Sequence, residues 1–181
     1  MRAPFDRVAA GDRGRVLLLL SASAILMLAL LGMLDMPLKN ETSPQGILSL
    51  QLAFDPTTAL SMLNHWNDDQ RLLCAFGLGL DYLFMFLYPA ATAAGCVFFG
   101  ERLRFHGATL GKLAPLFAWA AVAAGVADMI ENALTLGVLR GVADLAVGVA
   151  VAAVVKFALL LTGLVYAVVA GVRVRLYARA R

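Results

Sequence analysis

Charge is scarce in this 181-residue chain: Asp, Glu, Lys and Arg together make up 15%, and histidine and cysteine number two each. Each scarcity excludes a class of function. With His65 and His106 both outside the apolar runs, bis-histidine haem ligation inside a membrane is unsupported. Cys74 and Cys96 stand twenty-two residues apart on one apolar run, roughly 33 Å along a helix and far beyond disulfide reach, so they read as buried thiols. There is no Ser-His-Asp set, phosphate loop, dinucleotide fingerprint or Cys/His zinc pattern, and no internal repeat or low-complexity tract. What the chain has instead is apolar residues, at 61%, and a mean hydropathy of +0.81. That composition excludes a soluble domain.

Four apolar stretches, about 16–37, 72–99, 113–139 and 146–172, approach or exceed the roughly 20 residues that span a bilayer. Lipid cannot satisfy backbone polar groups, so a span is a helix or part of a closed barrel, and these runs are too long for barrel strands. The expected fold is all-α: a four-helix transmembrane bundle forming a single membrane domain over 1–181. Lys and Arg orient it. One side receives Arg2, Arg7, Arg13, Arg15, Arg102, Arg104, Lys112, Arg173, Arg175, Arg179 and Arg181, the other only Lys39, Arg71 and Arg140. The positive-inside rule then puts both termini in the cytoplasm and the chain in the plasma (inner) membrane. The first span is long for a signal-peptide core and lacks a small-x-small cleavage site over 31–37, so it is expected to be retained. Topology accounts for the net charge of +3, which calls for no nucleic-acid partner.

The external segment 39–71 is the one connection long enough for structure of its own. Asp55-Pro56 is a helix start, with Asp as N-cap and Pro at the first position. Leu60, Leu63 and Trp66 follow at helical spacing, which predicts a short amphipathic helix over about 56–66, lying on the outer surface with Trp66 at headgroup level. Asn67-Asp68-Asp69 ends it and caps the second span. Asn40-Glu41-Thr42 fits the glycosylation pattern but lies too close to the membrane to carry weight. Ala and Gly crowd the last two spans (among them Ala118, Ala121, Ala124 and Gly163), as close helix packing requires.

Against this apolar background five ionisable residues stand out. Counted from the basic flank of each span, Asp35 is twenty residues in, Asp81 nineteen, Asp128 sixteen, Glu131 nineteen and Lys156 seventeen. At about 1.5 Å per residue the offsets are roughly 24 to 30 Å, which places charge from four helices in one layer beneath the outer surface. Asp128, Glu131 and Asn132 share one helix face, extended a turn by Thr135. Asp81, Phe84 or Met85, and Tyr88 form a second stripe. Such residues are expensive in a bilayer unless they meet a partner, water or a cation.

If Asp81, Asp128, Glu131 and Lys156 converge, three acids face one base, and charge balance calls for a shared proton or an additional cation. The expected ligand-binding set is Asp81, Asp128, Glu131, Asn132 and Lys156. Two further uses of the same residues stay open. Asp81, Asp128 or Glu131, assisted by Tyr88, could act as acid and base on an outer-leaflet lipid or isoprenoid. The three acids could instead ligate a hard metal cation, with His65 as a remote candidate. Against these stand plainer readings: helix ends solvated at the membrane boundary, Lys156 snorkelling outward, Tyr88 as an ordinary packing hydroxyl and Trp66 as an interface anchor.

Three stretches carry a resemblance: Phe54-Asp55-Pro56 through Trp66 to Arg71, Leu80-Asp81-x-x-Phe84-x-x-x-Tyr88, and Asp128-x-x-Glu131-Asn132. Over about 48–139 the chain resembles a family of small bacterial four-span membrane proteins to which no activity is assigned. The resemblance implies fold and topology and brings no catalytic assignment. The expected function is binding of a cation, proton, small polar ligand or lipid headgroup in an outward-facing intramembrane cleft. The alternatives are the membrane enzyme above and an accessory subunit whose polar face meets a partner helix.

Overall fold

The computed structural model describes residues 2–179; Arg181, counted above among the basic residues, lies outside them. The fold is all-helical, with no strand among the described residues. Among the described residues six α-helices follow one another: α1 Arg13–Asp35, α2 Ile47–Gln51, α3 Pro56–His65, α4 Asp68–Phe105, α5 Ala114–Leu139 and α6 Ala146–Arg179. Short 3₁₀ turns at Met36–Leu38, Thr109–Leu113 and Ala143–Leu145 join or extend them. Four helices are long and apolar enough to cross a membrane, over Arg13–Leu38, Asp68–Phe105, Thr109–Leu139 and Ala143–Arg179. All four expected spans lie within them. The structured helices outrun the apolar stretches because polar first and last turns still satisfy their own backbone, as at Asp68–Arg71 and Arg173–Arg179.

The chain divides into two compact units, one of Met1–Ala24, Phe86–Gly125 and Phe157–Arg181, the other of Ile25–Met85 and Val126–Lys156. Each long helix contributes a segment to both. Ten of the fourteen described Lys and Arg residues, but only three of the twelve Asp and Glu, belong to the first unit.

In the first unit small residues set the packing. Ala93, Ala118, Ala121 and Ala170 have no exposed surface. A Cβ added at Gly163 would come within 3.0 Å of Thr92 Cγ2 and 3.4 Å of the Phe117 carbonyl oxygen, so the helices approach as closely there as the Ala/Gly content suggests. Phe117 and Tyr166 stack at 4.6 Å between ring centroids, and the Tyr166 hydroxyl donates to Leu110 O at 3.2 Å. Arg13 pairs with Glu101 and donates through Nε to Val8 O at 2.9 Å, while Trp119 Nε1 donates to Arg2 O at 3.0 Å. The N-terminal segment is thereby tied to α1 and α5.

The second unit is built around Leu38, Leu50, Ala53, Ala59, Met62, Leu63, Trp66, Cys74, Leu78, Val138, Ala146 and Val149. The segment 39–67 is therefore a folded cap. Trp66 ends α3 with 2% of its surface exposed, and its indole N–H donates to Leu38 O at 3.0 Å and Ser43 Oγ at 3.1 Å. This corrects the expectation of an interfacial tryptophan: the ring fills the core of the cap, and its polar edge finds protein acceptors in place of headgroups. The expected short amphipathic helix is present as α3, which packs by Ala59, Met62 and Leu63 into that core and leaves Thr57, Ser61 and Asn64 exposed. Asn40 is engaged as well, its side-chain oxygen accepting from the backbone N–H of Thr42 and of Ser43, each at 2.9 Å.

The expected start of α3 is present. Asp55 is extended, its carboxylate accepts from the Thr58 amide at 2.8 Å, and Pro56 follows. The hydroxyl of Thr57 first, then the groups of Thr58, hold the exposed Asp55 carboxyl down at about 2. A folded value depressed below the ordinary 3.8 means that this stabilisation is complete above 3.8 and lost as pH falls through about 2. Asp55→Ala is expected to speed amide exchange at Thr58 and Ala59, while Asp55→Asn stays near the parent and loses the acid dependence. Hydrogen exchange at pH 5 checks this, and equal protection in all three proteins would deny the cap. At the start of α4, Asn67 and Gln70 exchange side-chain-to-amide bonds of 2.9 Å each way, a reciprocal cap of the kind expected from Asn67-Asp68-Asp69.

Candidate functional site

Helical periodicity explains how charge comes to be buried here. On α4, Cys74, Leu78 and Met85 are buried at spacings of three and four, and Asp81 falls on the same stripe. On α5 the buried stripe runs Asp128, Glu131 and Asn132, Thr135, Val138, and on α6 it runs Ala146, Val149, Ala153, Lys156. Each polar residue thus continues the face that its helix already turns to the core of the second unit. Asp128, Glu131, Asn132, Thr135 and Lys156 are all buried, Glu131 and Asn132 completely, while Asp81 is half-buried.

Lys156 Nζ reaches both acids of α5, Asp128 Oδ1 at 3.0 Å and Glu131 Oε2 at 2.7 Å. Lys156 is therefore paired inward and does not snorkel. Asn132 Nδ2 donates to Asp81 Oδ2 at 2.7 Å and ties α5 to α4. The five residues expected to bind a ligand thus belong to one constellation of three carboxylates, one ammonium and one carboxamide. Thr135 does not join it, since its hydroxyl donates back to Glu131 O at 2.8 Å within the helix.

The hydrogen-bonding capacity of the constellation is unevenly used. Asn132 Oδ1 and Glu131 Oε1 are buried without a hydrogen-bond partner, whereas Glu131 Oε2 faces the Lys156 ammonium at 2.7 Å. A buried polar atom left unpaired ordinarily costs free energy. Both orphaned groups are acceptors. No signal in the sequence pointed to the Asp81–Asn132 bond, because a carboxamide one helix away carries no pattern beyond its own face.

Asp35 stands apart from this group. Its Oδ1 accepts from the Ile47 amide at 2.7 Å and its Oδ2 lies 3.8 Å from Lys39 Nζ. It anchors the start of α2, where Gly46 takes φ +60, and any Cβ at Gly46 would collide with that carboxylate. The layer of five charges inferred from depth is thus four charges in one constellation and a fifth used to fasten a loop.

Tyr88 belongs to the other unit, where its hydroxyl donates to Ala124 O at 3.5 Å. His65 is exposed, with Nδ1 2.7 Å from Ser61 O. Among the described residues no group of three or more His, Cys, Asp or Glu side chains is placed to hold a metal ion, so metal ligation by Asp81, Asp128 and Glu131, or by His65, gains no support. Cys74 and Cys96 are both free and buried, and Cys96 Sγ donates to Gly163 O at 3.4 Å. No family model, curated protein or solved structure matches this chain.

Proposed function

We propose that this chain is a multi-pass plasma-membrane protein with both termini in the cytoplasm, and that Asp81, Asp128, Glu131, Asn132 and Lys156 form an intramembrane site for a small cation, a proton or a polar ligand. The orientation rests on the bias of Arg and Lys towards the unit carrying both termini. The reading of the site rests on one observation: Lys156 pairs with two buried carboxylates of α5, and a third carboxylate, the half-buried Asp81 of α4, is joined to them through Asn132. Ionisable groups at membrane depth are retained where they pair or serve a bound or moving species. Here one internal cation cannot neutralise three acids.

The test is a high-resolution structure of the full chain in lipid, with Asp128→Asn and Glu131→Gln alongside. Non-protein density within hydrogen-bonding distance of Glu131 or Asn132, lost in Glu131→Gln while the fold persists, is the expected outcome. Side chains splayed towards bulk water, with both variants as stable as the parent, would reduce the cluster to a solvated helix boundary.

A further inference from the structure

Resting on that reading, we infer that the ligand presents N–H donors: the site is built for an ammonium group, either a free ammonium or alkylamine or the headgroup of an aminophospholipid. The argument is one of valence. The constellation contains two donor groups, and both are directed at its own acids, Lys156 Nζ towards Asp128 and Glu131 and Asn132 Nδ2 towards Asp81. The unsatisfied buried positions are acceptors, Glu131 Oε1 and Asn132 Oδ1, on residues with no exposed surface. An anion or a phosphate would meet three carboxylates against one ammonium that two of them already engage. A species bringing donors and positive charge satisfies both orphaned oxygens and offsets the excess negative charge. Half-buried Asp81 is the most exposed member of the group. The carboxylates are not gathered as a metal set, which favours a donor cation over a hard metal ion bound by oxygen charge alone.

The two sources share this chemistry and differ in delivery. A free amine arrives from water, whereas a headgroup amine arrives laterally, at the outer-surface depth that the span offsets assign to these residues.

The experiment is thermal unfolding of the full chain in nanodiscs of phosphatidylcholine, at constant ionic strength, with ammonium chloride, ethylammonium chloride, choline chloride or sodium chloride, and in parallel nanodiscs containing phosphatidylethanolamine. Ammonium and ethylammonium are expected to raise Tm by about 5 °C at a hundredfold excess over Kd, and choline, which has no N–H, by nothing measurable. Asp81→Asn, at the partly exposed edge and compatible with the fold, should weaken the shift at least about tenfold in half-maximal concentration; Glu131→Gln should abolish it. A shift only in phosphatidylethanolamine nanodiscs, removed by Asp81→Asn, assigns the amine to lipid. Equal shifts with sodium and ammonium would overturn the donor requirement while leaving a cation site. No shift with any cation or lipid, together with no density at Glu131 in the structure, would overturn both the inference and the binding function.

Discussion

Lys156→Met is expected to destabilise the protein by about 3 to 5 kcal/mol, the typical cost of removing one partner from a buried ion pair. Lys156 Nζ lies 3.0 Å from Asp128 and 2.7 Å from Glu131, and the side chains of all three are nearly or fully buried. Removing the ammonium leaves two carboxylates facing each other on one helix face with no internal counter-charge. The control is built from the same geometry. Lys156→Met combined with Asp128→Asn and Glu131→Gln removes the repulsion together with the pair, and should recover at least half of the loss, a non-additivity expected of groups in direct contact. Unfolding in denaturant, in one detergent for all variants, reads both numbers. If Lys156→Met alone matched the parent, the ammonium would be solvated in the membrane and the constellation would not be a dry ion-pair network.

The second large effect is expected at Trp66. Trp66→Ala should cost about 3 to 5 kcal/mol, because the indole is almost completely buried in the core cluster that also holds Leu38, Leu50, Leu63 and residues of α4, α5 and α6. Trp66→Phe keeps most of the volume but leaves Leu38 O and Ser43 Oγ without the indole donor, so about 1 to 2 kcal/mol is expected. Because this ring seats the 39–67 cap, the alanine variant should also be cleaved within that segment by limited proteolysis at concentrations that spare the parent. An interfacial anchor would behave differently: Trp66→Phe would be nearly silent, and stability would depend on the lipid headgroup in place of the cap.

Much of this was legible without coordinates. Helices of this length follow from apolar runs that lipid allows to be satisfied in only one way, and Asp55-Pro56 announces a helix start because an acceptor side chain and a fixed φ meet the demands of a first turn. The Asp128, Glu131, Asn132 face follows from 3.6 residues per turn alone. The convergence of Asp81 and Lys156 on that face was legible only as equal depth. Depth is one coordinate of three, and it grouped Asp35 with residues that it does not join.

What the sequence determined by itself is what depends on near neighbours: which segments are helical, where each begins, and which side chains share a stripe. Tertiary structure decided what depends on rotation about each helix axis and on how a loop closes. It turned Trp66 from lipid to core, made Asp35 a fastener of α2, gave Asn132 to Asp81, and left two acceptors buried without partners. A helix of nearly uniform hydrophobicity carries little information about which way it faces. In α1, where only Ala24 is buried, and in α6, facing is set by the partners it meets, and only the packed chain contains them.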